Sequence, residues 1–136
     1  MKEYVLDANA LVRLFRNTPG VDTVDDLIKQ AKSGRAHLSI SAVNLTETLY
    51  VLARFFGEEK ALNCIDRARR VAEVVSVDEQ ISIDTGILRI HYKLGLADCF
   101  AAELAMRTGA ALVTADPEFA KLGKKLKILA LPRHSA

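Results

Sequence analysis

Four carboxylates stand where local structure does not obviously demand a charge. Asp7 directly follows the apolar run Tyr4-Val5-Leu6, Glu47 lies inside an apolar stretch, Asp98 follows Gly95-Leu96-Ala97, and Asp116 follows Leu112-Val113-Thr114. Like charges gathered in one place repel, and a native site tolerates them when a cation neutralises them or when one takes up a proton. A divalent metal is the simpler account. Magnesium wants hard oxygen ligands and keeps several waters, so a few carboxylates plus a substrate phosphate suit it. Zinc would want histidine or cysteine, and neither is patterned for it: His37, His91 and His134 show no paired spacing, and Cys64 and Cys99 form no CxxC or Cys/His arrangement. The same histidines argue against chemistry that needs two imidazoles. Gly-rich phosphate loops of the GxxxxGK[ST] and GxGxxG types are absent from the sequence, which removes most support for nucleotide hydrolysis and dinucleotide redox chemistry.

Each acid also has a plainer reading. Asp116 before Pro117 is a good helix N-cap with proline at the first helical position. Asp98 could cap its own helix, and Asp7 could be a turn residue. Glu47 could be a solvated helix position, with Asn44, Thr46 and Thr48 marking a polar side. The signal lies in the set.

The elements that must position these acids follow from periodicity and punctuation. Tyr4–Leu6 reads as a buried strand with Asp7 at its carboxyl end, followed by a helix over Ala8–Arg16 that breaks at Asn17-Thr18-Pro19-Gly20. Asp22 or Thr23 can cap a second helix through Lys32, with Val24, Leu27, Ile28 and Ala31 inward and Gly34 as its stop. His37–Ile40 is a second strand. Ser41 is placed to cap a helix over Ala42–Phe56 that closes at Gly57, and Glu58–Val71 is another helix. Val74–Val77 resembles a third strand. Asp78 can cap a helix that runs on to Gly95, Asp98–Arg107 is a further helix ending at Gly109, and Ala111–Thr114 is a fourth strand. Asp116-Pro117-Glu118-Phe119 starts a short helix, Lys127–Leu131 is a last strand, and Pro132–Ala136 is expected to fray. Apolar strands alternating with helices predict an α/β fold with a central, mainly parallel sheet of about four to five strands, covered on both faces. Ligands of such sheets bind beyond the carboxyl ends of the strands, where Asp7 and Asp116 both fall.

At 136 residues and 14.9 kDa the chain is expected to form one domain over 1–136. A formal charge of +2 and pI near 8.6 only slightly favour an anionic partner. Cys64 and Cys99 read as small buried hydrophobes. The apolar stretch closed by Asp7 is too brief for a signal-peptide core and no later run reaches membrane-spanning length, so a cytoplasmic location is the expectation.

Val5-Leu6-Asp7-Ala8-Asn9, Ser41-Ala42-Val43-Asn44-Leu45-Thr46-Glu47, Leu96-Ala97-Asp98-Cys99 with Ala101-Ala102, and Leu112-Val113-Thr114-Ala115-Asp116-Pro117-Glu118-Phe119 occur in this order across almost the whole chain. With these motifs the sequence resembles the PIN-domain nucleases, specifically the short VapC-type toxins of bacteria and archaea. The resemblance implies catalytic and metal-ligating roles for Asp7, Glu47, Asp98 and Asp116, and supporting roles for Asn9 and Thr114. Cys99 stands where alanine is frequent in the family. Glu118 matches an acid often seen in the last motif, although electrostatics at a helix N-terminus explain it as well. The implied activity is endonucleolytic cleavage of RNA with one or two Mg2+ or Mn2+ ions, leaving a 5′-phosphate and a 3′-hydroxyl. Asp7, Asp98 and Asp116 would be direct or water-mediated ligands, while Glu47 would be a ligand or orient the attacking water. The implied partners are a small antitoxin, whose C-terminal segment occupies the active-site groove, and a second copy in a homodimer. Arg13 and Arg16, on the helix that follows Asp7, are candidates to meet substrate phosphate. The basic stretches Arg67, Arg69, Arg70 and Lys121, Lys124, Lys125, Lys127 read as solvated faces, and Phe15, Tyr50, Phe55, Phe56, Tyr92, Phe100 and Phe119 read mostly as core.

Two rivals remain at this level. A haloacid-dehalogenase-type phosphatase also places an aspartate after its first strand but usually needs another two residues on, where this chain has Asn9. A PIN-like RNA-binding or scaffold protein that has lost catalysis is the other, against which the complete set of acids counts.

Overall fold

A computed structural model describes residues 1–132; the frayed tail expected over 132–136 therefore lies, beyond Pro132, outside the described residues. Five parallel strands form one sheet, β1 (Lys2–Leu6), β2 (Ala36–Ser41), β3 (Glu73–Val75), β4 (Ala111–Thr114) and β5 (Lys127–Ala130), in the order β3-β2-β1-β4-β5. The sheet is thus wholly parallel, as the apolar strands and alternating helices predict. Its first half winds outward from β1 to β3, and the chain then returns to the other side of β1 for β4 and β5. The order reverses between β1 and β4, where Leu6 pairs with Val113, and this opens a crevice at their carboxyl ends.

Period-two alternation divides the core between the two faces. Val5 and Leu112 point toward the helix Leu96–Thr108 (α6), packing with Cys99, Ala101, Ala102, Leu104 and Phe119. Leu6, Leu38, Ile40 and Val113 point the other way, against Ala10 and Leu11 of α1 (Ala8–Arg16) and Val24, Leu27 and Ile28 of α2 (Val21–Lys32). Each such aliphatic side chain contributes about 1.5–3 kcal/mol on leaving water. The alanines of α6 let it lie close to the strands, which carries Asp98 at its start toward Asp7 at the end of β1. A smaller cluster of Leu52, Ala61 and Cys64 joins α3 (Ala42–Phe56) to α4 (Glu58–Arg69). Both cysteines are free and buried.

Several boundaries differ from the sequence expectation, each for a local reason. Neither Asp22 nor Thr23 caps α2: Gly20, at φ +100°, occupies that position. The preceding turn is closed early by backbone bonds from Thr18 N to Arg13 O and from Val21 N to Thr18 O, so the helix starts before either side chain can cap it. A Cβ on Gly20 would also touch Leu131 Cβ at 3.4 Å. The helix capped by Asp78, α5 (Glu79–His91), stops at Tyr92, whose extended backbone lets Leu94 turn into the core, rather than at Gly95. Gly95 instead precedes α6, so Asp98 lies in the first turn of that helix and is not its cap. β3 covers Glu73–Val75, a little earlier than expected, and α4 ends at Arg69. Pro117–Lys125 is a 3₁₀ segment rather than an α-helix, interrupted at Gly123 with φ 56° and ψ −132°. Among the described residues no helix is long and apolar enough to cross a membrane.

Candidate metal-binding site

The site grows from the end of β1. Asp7 is the N-cap of α1, and its Oδ1 accepts from the Ala8 amide at 2.8 Å. Its Oδ2 accepts from Thr114 Oγ1 at 2.8 Å and from Asn9 Nδ2 at 3.0 Å. Thr114, the last residue of β4, joins the two strands: its hydroxyl also accepts from Asn9 Nδ2 at 3.2 Å and from the Asp116 amide at 3.0 Å. Asn9 completes the lattice by accepting the Ala115 amide at 3.1 Å. Asp7, Asn9, Thr114 and Asp116, more than a hundred residues apart in sequence, are therefore held in one hydrogen-bonded unit across the β1/β4 crevice. Asp116 retains the role predicted from Pro117 as well, its Oδ1 accepting the Glu118 amide at 2.9 Å.

Asp98 and Glu47 complete the set electrostatically. Burial pushes the Asp98 carboxyl up to about 7, reinforced by the charges of Asp7, Asp116 and Glu47 and by a hydrogen bond with Asp116. Placement in the first turn of α6 favours the charged form, and that effect is overcome. Asp7 is only 2% exposed. Burial raises it to about 6, while the bonds from Thr114 and Ala8 lower it and the charges of Glu47 and Asp116 raise it again. Asp98 thus feels the charges of the other three acids, and Asp7 those of Glu47 and Asp116.

A second layer was not legible in the sequence. Asn44 and Thr48, expected on the polar side of α3, are fully buried. Thr48 bonds back to Asn44 O at 2.8 Å, and Asn44 Nδ2 donates to Ala97 O at 3.1 Å, tying α3 to the start of α6. Asn44 thereby fixes the helix that carries Glu47 against the helix that carries Asp98. Its position i−3 from Glu47 and the apolar residues around it were the available signal. Asn44 Oδ1 has no hydrogen-bond partner among the described residues.

The two arginine candidates sit away from this lattice in their described contacts. Arg13 donates from Nη1 to Pro19 O at 2.6 Å, bracing the turn into α2, and Arg16 stacks over Phe55 with its guanidinium carbon 3.6 Å from the ring centroid. Glu118 is exposed and pairs with Lys121. Phe119 is buried, as expected of a core aromatic, but Tyr50 and Phe55 are 62% and 52% exposed.

Among the described residues no three His, Cys, Asp or Glu side chains draw together as a preformed metal cage. The donor set nonetheless suits a hard cation that keeps part of its water: every donor is a carboxylate, and everything that raises Asp98 is burial or another acid. Asp7, Asp98, Asp116 and Glu47 are the residues that would hold one.

An α/β domain of this topology has counterparts among known proteins. The model of the PIN domain matches residues 4–125, and the chain belongs to the PIN-domain family. No curated protein matches its sequence. The fold is similar to that of the DNA-bound VapBC from Salmonella typhimurium, with a TM-score of 0.77 and 23% identity over 96% of this chain and 98% of that one. VapBC2 from Rickettsia felis, bound to a DNA fragment from its promoter, gives 0.76 and 23% over 95% and 98%. A toxin-antitoxin complex from Klebsiella pneumoniae gives 0.68 and 16% over 98% and 99%. At these identities the likeness is one of fold.

Proposed function

We propose that this PIN-domain protein is a divalent-metal-dependent endoribonuclease and the toxin of a toxin-antitoxin pair. The observation that carries the reading is the buried Asp7 carboxylate, held by Thr114 and Asn9 at the β1/β4 crevice with Asp116 on the same hydrogen-bonded unit and Asp98 bonded to Asp116, a set of acids that a cation would neutralise. Asp7, Asp98, Asp116 and Glu47 would hold one or two Mg2+ or Mn2+ ions, which when bound supply an activated water and neutralise charge at the phosphoryl group. Thr114, Asn9 and the Ala8 amide hold both oxygens of Asp7 in a fixed direction, so its carboxylate needs little reorganisation on binding. Glu47 is the exposed member of the group, on the solvent side of α3, and is suited either to ligation or to accepting a proton from water.

The VapBC neighbours support an antitoxin partner, and the exposed Ile83, Ile87 and Ile90 along α5 support a homodimer. A cytoplasmic location, where RNA and magnesium are both available, belongs to the same reading.

The test is cleavage of a panel of structured RNAs with magnesium or manganese by the wild type, Asp7→Asn and Asp98→Asn. Metal-dependent cleavage by the wild type alone is the expected result. Equal cleavage by all three would mean a contaminant or a wrong site. RNA bound but never cut would favour a non-catalytic PIN-like binding protein, and phosphate release from small monoesters with RNA left intact would favour a phosphatase.

A further inference from the structure

The solvent face of α3 carries, beside Glu47, two side chains that the acid site does not use. Glu47, Tyr50 and Arg54 are spaced i, i+3, i+7, which places them along one face of the helix. The opposite face, with Asn44, Thr48 and Leu52, is buried. Tyr50 is 62% exposed, and the Arg54 guanidinium carbon lies 5.8 Å from its ring centroid. Of its neighbours one turn away, Thr46, Glu47 and Arg54 are polar and exposed and only Ala53 is apolar, so Tyr50 is an aromatic ring in a largely charged and polar setting. That differs from the apolar stripe Ile83, Ile87 and Ile90 on α5, which has the character of a protein contact.

We propose that Tyr50, backed by Arg54, is the platform on which an unpaired base of the RNA stacks next to the phosphodiester held at the acids. The proposal rests on the ribonuclease reading and adds the side chains that receive the base beside the cleaved bond. Residues three apart on one helix face are neighbours, ~5–6 Å between Cβ atoms, so a base adjoining a phosphate held near Glu47 falls within reach of the Tyr50 ring. Every base offers a π face, so such a ring accepts any sequence, whereas a base inside a duplex is already stacked and cannot lie on it. Arg54 contributes a cation beside both the ring and the passing phosphate.

The experiment measures steady-state cleavage of a single-stranded oligoribonucleotide with magnesium by the wild type, Tyr50→Ala and Tyr50→Phe, with binding to the same oligonucleotide and to a duplex measured in the Asp7→Asn background. Loss of one stacked base is expected to raise KM by roughly 5- to 100-fold. The loss should fall on KM rather than kcat, Tyr50→Phe should restore most of the affinity because it keeps the ring, and duplex binding should be indifferent to Tyr50. An abasic nucleotide beside the cleaved bond should erase the difference between wild type and Tyr50→Ala. A KM unchanged in Tyr50→Ala, or an equal loss in Phe and Ala, overturns the platform while leaving the nuclease reading standing. So does a change of oligomeric mass in Tyr50→Ala without a change in KM, which would make the ring a protein contact. Absence of both cleavage by the wild type and binding by Asp7→Asn overturns the two readings together.

Discussion

The two ends of the sheet treat carboxylates in opposite ways. At the amino-terminal end, Glu3 on β1 and Glu73 on β3 flank His37 on β2, with Glu3 Oε2 2.7 Å from Nδ1 and Glu73 Oε1 3.0 Å from Nε2. Bonding to Glu3, helped by both carboxylate charges, raises the His37 pKa above its ordinary value, so positive charge is supplied where the acids meet. At the carboxyl-terminal end Asp7 and Asp98 are raised in turn, by burial and by one another's neighbours. One cluster is balanced by the chain, and among the described residues the other has no cationic partner. Charge density alone therefore does not mark a site; charge without an internal partner does.

The largest effect expected from breaking this contrast is at the unbalanced end. Asp98→Asn and Asp7→Asn should lower metal-dependent RNA cleavage by more than the ~10–100-fold typical of residues that only support a ligand. Asp98→Asn should also raise the melting temperature of the metal-free protein at pH 8, because it removes a partly buried like charge. Thr114→Val should fall within that supporting range of about 10–100-fold in cleavage. It should also move the Asp7 titration upward in NMR, since the Thr114 hydroxyl bond is the largest influence holding it down.

The pH dependence of stability follows next. Asp7 and Asp98 are protonated in the folded chain at pH values where the unfolded chain has already released those protons. Folding therefore takes up protons between about pH 4 and 7, and the metal-free melting temperature should fall as pH rises through that window. His37, with its raised pKa, acts in the same direction, stabilising below its unfolded pKa and losing that contribution as pH rises through the folded one. Thermal scans of the His37→Asn variant separate the two ends. Magnesium should recover more stability at pH 8 than at pH 5, because only the deprotonated acids bind it. The smallest effect is expected from Glu73→Gln. Its pair with His37 is solvent-exposed, so it should cost about 0–1 kcal/mol in chemical denaturation and leave cleavage unchanged.

Much of this was legible in the residues. Alternation of apolar strands with helices points to the parallel sheet, Ser41 and Asp78 cap the helices assigned to them, and Asp7 and Asp116 stand just past the carboxyl ends of β1 and β4, linked through Thr114. What sequence could not convey was direction within a turn. Asp98 reads equally as a cap or a first-turn residue until Gly95 is seen in the capping position. Polar residues in a helix read as solvated until tertiary packing buries them, as it does Asn44 and Thr48. Tyr50 fails in the other direction: its type suggests core, and only the orientation of α3 leaves it outside.

The pairing of β4 beside β1 has a consequence for synthesis. Asp7 is made long before its hydroxyl partner, which is 107 residues further along, and Asp116 lies beyond that. A ribosome producing this chain has to add that whole stretch before Asp7 and Asp116 can meet, since β1 gains its second neighbour only when β4 emerges. The β1/β4 crevice is thus among the last features of the fold to be assembled during synthesis.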